Sequence, residues 1–160
     1  RSTNAATVQS DKLAGFEMSA HDIPDLVPVI SAVASLAQGR TFIRDCARLR
    51  IKESDRLATV CDFLTILGTD IRQTKDGLVI DKNNDRTVPS GPAAHCPAPS
   101  LCGGTVSSHN DHRIAMAAAV ASCRADGPVI ITGAEAVKKS YPDFFTDFTK
   151  LGGKIEILED

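Results

Sequence analysis

The feature that most constrains this chain is a repeat with a nearly constant offset. Asp25 and Asp111 lie 86 residues apart, Gly39 and Gly127 lie 88 apart, Ser54 and Ser140 lie 86 apart, and Gly68 and Gly152 lie 84 apart. Asp and Ser are residues that cap helix starts, and Gly is the residue that ends helices. A fixed spacing between matching starts and stops is the mark of a duplicated unit.

Each unit reads as helix, strand, helix, strand, with a leading strand in front. In the first unit, Pro24-Asp25 opens an apolar helix through Val29, Ile30, Val33 and Ala37, which Gly39 stops. Arg40–Cys46 alternates as a strand. Ser54 is expected to cap a second helix whose apolar stripe is Leu57, Val60, Cys61, Leu64 and Leu67, ending at Gly68. Strands at Asp70–Gln73 and Leu78–Asp81 turn at Lys75-Asp76-Gly77. In the second unit, Asp111 opens an alanine-rich helix to about Cys123, and Pro128–Thr132 is a strand. A last helix begins near Ser140-Tyr141-Pro142 with Phe144, Phe145, Phe148 and Leu151 expected inward, and Lys154–Leu158 alternates as a closing strand. The units span about 5–81 and 101–158, joined by a loop at 82–100 rich in Pro, Asn and Asp. Strands alternating with helices predict crossover connections and an α/β layer architecture.

Charge narrows the partners. Lys and Arg number 18 against 20 Asp and Glu, a formal net charge of -2. Nucleic acid demands a strongly basic face, so it is not the expected partner. No apolar run approaches the ~20 residues of a membrane span, and no signal peptide opens the chain. The five cysteines form an odd number with no CxxC pair, which predicts free thiols and a cytoplasmic setting, with Cys61 and Cys123 buried. A start at Arg1 suggests a piece of a longer protein. Zinc at His95, Cys96, Cys102, His109 and His112 is set aside, because the Cys96–Cys102 spacing is not that of a zinc pair and prolines interrupt it. No metal site is expected.

The unusual charges gather at three helix starts: Arg50-Ile51-Lys52-Glu53-Ser54-Asp55-Arg56, His109-Asn110-Asp111-His112-Arg113, and Lys138-Lys139-Ser140-Tyr141-Pro142-Asp143. Taken singly, such runs are ordinary solvated surface with i, i+4 pairing, and His112 alone reads as structural. Cations at a helix N-terminus oppose the dipole, so Lys52, Arg56, Arg113 and Lys139 make sense if an anion occupies the space between them.

These segments carry a resemblance. Arg50–Leu57 resembles the R-x-K-E-S-D-R-L signature of the 5-enolpyruvylshikimate-3-phosphate synthases, the shikimate-pathway enolpyruvyl transferases. Asn110-Asp111-His112-Arg113-Ile114-Ala115-Met116 resembles their N-D-H-R-x-A-M block, Ile23-Pro24-Asp25 their I/M-P-D block, and Lys139-Ser140-Tyr141-Pro142-Asp143-Phe144 their K-[ST]-[FY]-P-x-[FY] block. The four occur in order and in register. The resemblance implies the enolpyruvyl transferase fold, with duplicated βαβαββ units forming part of the C-terminal domain, a partial inverse α/β-barrel-like domain.

It also implies chemistry without metal or organic cofactor. The 5-hydroxyl of shikimate-3-phosphate adds to phosphoenolpyruvate, and phosphate leaves the resulting intermediate. By resemblance, Arg56, Arg113, Lys139 and His112 hold phosphoenolpyruvate, Asp25 and Lys52 meet shikimate-3-phosphate, and Asp25, Glu53 and Lys139 move protons. Some members carry Asn where this chain has Arg48, so Arg48 is left out. The remaining domain of the same enzyme is the expected partner, the parent is expected to be a monomer, and this segment alone is expected to be inactive. The transferase acting on UDP-N-acetylglucosamine and a non-catalytic anion-binding module remain as alternatives.

Overall fold

The computed structural model describes residues 12–82 and 100–158. It opens with strand β1 (Glu17–Ser19), a 3-10 turn at Pro24–Leu26 and helix α1 (Val27–Ala34). Then follow β2 (Gly39–Arg44), a 3-10 turn at Ala47–Ile51, helix α2 (Arg56–Ile66), β3 (Asp70–Gln73) and β4 (Leu78–Lys82). The order returns with β5 (Gly104–Ser107), α3 (His112–Ser122), β6 (Val129–Thr132), a 3-10 turn at Ala134–Lys139 and α4 (Phe144–Lys150). The fold is α/β, as the sequence predicts.

The first sheet has the order β1-β2-β4-β3. β1 and β2 are parallel, with Met18 opposite Ile43, and α1 makes the crossover. β4 runs antiparallel to β2 and to β3. The second sheet is a parallel pair, β5 and β6, crossed by α3. Gly68, just past the C-cap of α2, has φ of +85°, a left-handed conformation that side chains resist and that lets the chain leave the helix, and Gly39 has φ of +87° at the first residue of β2.

One apolar core joins both halves. Val27, Ile43, Leu57, Val60, Phe63, Leu64 and Ile80 pack with Val106, Ile114, Ala117, Ala118 and Ala121. α1 lies against α3, and both helices bury many small residues: Ser31, Ala32 and Ala34 in α1, Ala115, Ala117, Ala118 and Ala121 in α3. Short side chains let two helix backbones approach closely.

Several expectations need correction. α1 ends at Ala34 rather than running to Ala37. Asp55, not Ser54, caps α2: its Oδ1 accepts from the Leu57 and Ala58 N–H groups, both at 3.1 Å. α4 buries no residue, its phenylalanines are half-buried and Leu151 is 88% exposed. Lys154–Leu158 forms no strand among the described residues, since no neighbouring backbone offers a ladder. Cys102 is disulfide-bonded rather than free, and Cys123 is exposed. The expected connector at 83–99 and the first residues of the first unit lie outside the described residues, as do His95 and Cys96. No helix among the described residues is long and apolar enough to cross a membrane.

Candidate functional site

The site forms where the starts of α2 and α3 meet. Arg56, the first residue of α2, is 1% exposed although it carries a full charge. Burying a guanidinium is tolerable only if its donors are taken up, and here three carboxylates take them. Its Nε donates to Asp111 Oδ2 at 2.7 Å and one terminal nitrogen to Asp111 Oδ1 at 3.2 Å. That same terminal nitrogen donates to Glu53 Oε2 at 2.6 Å, and the other donates to Asp25 Oδ1 at 2.8 Å.

Asp111 is fully buried and is the structural centre of the cluster. It caps α3 through the Arg113 N–H at 2.9 Å, and it also accepts from Ser54 Oγ at 3.0 Å. Burial pushes its carboxyl up, but the bonds from Arg56, the Arg113 N–H and Ser54 outweigh this and hold it below its ordinary value. Burial likewise works against the charge on Arg56, and Asp111, Glu53 and Asp25 more than restore it.

Asp25, carried by the 3-10 turn ahead of α1, sits between three cations. Besides Arg56, Lys52 Nζ stands 3.5 Å from Oδ1 and an Arg113 terminal nitrogen 3.6 Å from Oδ2. Desolvation raises the Asp25 pKa, but the bond from Arg56 and the charges of Lys52 and Arg113 prevail and lower it. Asp25 thus occupies the space between cations where the sequence calls for an anion.

Five of the sequence-derived candidates, Asp25, Lys52, Glu53, Arg56 and Arg113, therefore share one cluster, with Arg56 and Arg113 on the same face. The other two flank it. His112 opens α3, buried, with Nδ1 unpartnered among the described residues; Arg113 Nε is in the same condition. Lys139 does not touch the cluster directly: its Nζ donates to the Asn110 carbonyl at 2.5 Å, one residue from Asp111. The loop between them is strained, with His109 and Asn110 at φ of +49° and +58°. Ser108 stitches it down, donating to the Gly133 carbonyl and accepting from the Asn110 N–H.

Sequence reasoning missed Asp111 and Ser54 as parts of the site. Both were read as helix caps, and their second function depends on Arg56, 55 residues from Asp111 in the chain. Among the described residues no group of three or more His, Cys, Asp or Glu side chains is placed to hold a metal ion.

The family model for EPSP synthase (3-phosphoshikimate 1-carboxyvinyltransferase) matches residues 1–148. The 3-phosphoshikimate 1-carboxyvinyltransferase of Clostridium perfringens (strain 13 / Type A) is 46% identical over 141 residues, covering 88% of this chain and 30% of that protein. That of Methanocella arvoryzae is 40% identical over 151 residues, covering 94% and 32%. The structure of EPSP synthase from Acinetobacter baumannii superposes with a TM-score of 0.78 at 35% identity, covering 92% of this chain and 32% of that one. The enolpyruvyl transferase NikO from Streptomyces tendae gives 0.68 at 22% identity, a likeness of fold alone. The chain thus spans about a third of the length of the relatives it matches. By the family match across nearly its whole length, the chain belongs to the EPSP synthase family.

Proposed function

We propose that this chain is part of the C-terminal domain of a 3-phosphoshikimate 1-carboxyvinyltransferase and supplies one wall of its active site. The domain portion comprises two repeat units, about 5–81 and 101–158, and the rest of the enzyme supplies the opposite wall. The observation that carries the reading is the shared cluster of Asp25, Lys52, Glu53, Arg56 and Arg113 in a chain of this family.

In this reading Lys52, Arg56, Arg113 and Lys139 provide positive charge for phosphoenolpyruvate and the phosphate of shikimate-3-phosphate, with His112 beside the former. Guanidinium forks suit the two-point binding of oxyanions. Four of the five Arg56 N–H groups already donate to Asp111, Asp25 and Glu53, so a ligand gains a two-point hold on it only when Asp25 or Glu53 yields a position. Both are more than 40% exposed on their side chains and free to turn, whereas Asp111 is not. Asp111 keeps Arg56 aimed while the exposed carboxylates exchange partners.

The chemistry follows from what these groups can do. Asp25, released from the cations, accepts the proton of the 5-hydroxyl as its oxygen bonds to the enol carbon. Glu53 delivers a proton to the methylene carbon. Loss of a proton from the resulting methyl group and cleavage of the carbon–oxygen bond to phosphate then restore the double bond, with Lys139 protonating the departing phosphate. The residues assigned here perform this without a cofactor. The setting is the cytoplasm, and the parent acts as a monomer.

Two measurements test the reading. The chain alone should bind inorganic phosphate weakly, lose that binding in Arg113→Ala, and release no phosphate from the two substrates. In a complete transferase carrying this segment, Glu53→Gln should lower turnover by roughly 10²–10⁴-fold, the usual contribution of a positioned proton-transfer group. Turnover within about threefold of the parent removes Glu53 from that role.

A further inference from the structure

The segment Lys52–Ser54 is tied to the cluster through its side chains, to Asp25, Arg56 and Asp111, but its backbone has little to hold it. Among the described residues, Lys52, Glu53 and Ser54 make no backbone N–H hydrogen bond outside helices and strands. They form an arch between the 3-10 turn Ala47–Ile51 and the Asp55 cap of α2. Across the foot of that arch lies Arg50. One of its terminal nitrogens donates to Asp55 Oδ2 at 2.9 Å, tying the 3-10 turn before the arch to the residue after it.

The same guanidinium reaches the β3–β4 turn three times. It donates to Gln73 Oε1 at 2.9 Å, to the Thr74 carbonyl at 2.8 Å and to the Lys75 carbonyl at 3.3 Å. The turn is itself anchored, since the Cys46 N–H donates to the Asp76 carbonyl at 2.6 Å. Arg50 thus fixes the arch against a hairpin of the first sheet. The planar fork with its five fixed donors meets four acceptors, an arrangement that an ammonium group cannot reproduce.

We infer that Arg50 is a positioning residue: it acts through the Lys52–Ser54 arch, closing it with Asp55 and docking it on the β3–β4 turn, so that Lys52 and Glu53 face Asp25 and Arg56. The inference rests on the proposed function for its catalytic meaning, but the clasp is testable without it.

The test uses Arg50→Ala and Arg50→Lys in the 160-residue chain. Backbone order parameters from ¹⁵N relaxation should fall at Lys52, Glu53 and Ser54 from about 0.85 to below about 0.6 in both variants, while Val60–Leu64 stay rigid. Phosphoenolpyruvate affinity should drop at least about fivefold in Arg50→Ala, the order of one lost hydrogen bond. It should drop no further when Arg50→Ala is added to a Lys52→Ala, Glu53→Ala background, because Arg50 acts through those two residues. An arch that stays rigid, a rigid arch restored by lysine, equal loosening of α2, or additive losses of affinity each overturn the inference. If the parent chain fails to bind phosphoenolpyruvate, the proposed function fails there, and the relaxation measurements alone decide the clasp.

Discussion

Replacing Asp111 with Asn removes one charge from the centre of the cluster and turns the oxygen that accepts from Arg56 Nε and Ser54 Oγ into a donor. Asn keeps an oxygen for the Arg113 N–H, so the α3 cap survives, and its volume is nearly that of Asp. What is lost is the ionic partner of Arg56, in a pair whose side chains are 0% and 1% exposed. Breaking a buried pair typically costs about 3–5 kcal/mol, because the remaining charge stays desolvated. Asp25 and Glu53 still contact Arg56, so the expected loss is lower, about 2–4 kcal/mol. For a chain of this size that is a fall in Tm of roughly 6–12 °C. Asp111→Ala adds the missing cap, about 1 kcal/mol more.

The effect also has a required pH dependence. The folded structure holds the Asp111 carboxyl below its ordinary value. Its contribution is therefore fully present above ~3.9, the unfolded value, and is lost as pH falls through the lower folded value. The gap between parent and Asp111→Asn should be widest near neutrality and narrow in acid. Thermal melts followed by circular dichroism across this range give both quantities. A neutral-pH difference under about 0.5 kcal/mol, the scale of an ordinary surface change, would refute the argument, as would a gap that widens on acidification.

Other perturbations address the core, the hairpin and the thiols. Phe63→Ala empties a site that is 0% exposed in the shared core, and chemical denaturation should show a loss of about 3–5 kcal/mol. Gly77→Ala places a Cβ 2.1 Å from the Ile43 carbonyl oxygen, so the turn must shift, and a loss of about 1–3 kcal/mol is expected in the same assay. Burial pushes the Cys46 and Cys61 thiols up to about 11; Asp45 and Asp76 add to the shift at Cys46, while at Cys61 the Arg50 charge opposes it and Asp55 adds to it. Mass mapping after iodoacetamide at pH 8 should therefore find exposed Cys123 labelled first, at least about tenfold faster.

What the sequence revealed follows the range of the forces involved. Gly68 and the Asp111 cap are local devices, and the strands at Asp70–Gln73 and Leu78–Lys82 sit in a hairpin whose turn is nearby; all were legible, whereas the Gly39 stop was misplaced, since α1 ends at Ala34. The choice between Ser54 and Asp55 as cap was not. Both side chains can accept from helix N–H groups, and the decision falls to Asp111, which claims the Ser54 hydroxyl from 57 residues away. Arg56 looked like a ligand clamp from its motif alone, and its burial among three carboxylates depends on contacts between distant segments. The phenylalanines of α4 have helical spacing but nothing among the described residues covers them fully, so periodicity alone overstated their burial. Lys154–Leu158 alternates as a strand should, yet alternation supplies no partner.

The small residues that α1 and α3 bury have a consequence for how such a chain can change over generations. The two helices hold the same place in the β1-α1-β2 and β5-α3-β6 orders and pack on each other. Ala32, Ala34, Ala117, Ala118 and Ala121 are all buried in the shared core, so a longer side chain at any of them forces a helix to shift. All five are already alanine and glycine is the sole smaller residue, which leaves almost no room to compensate by trimming a neighbour. Enlargements along these two helices should therefore be scarce, while exposed positions on the same elements stay open to change.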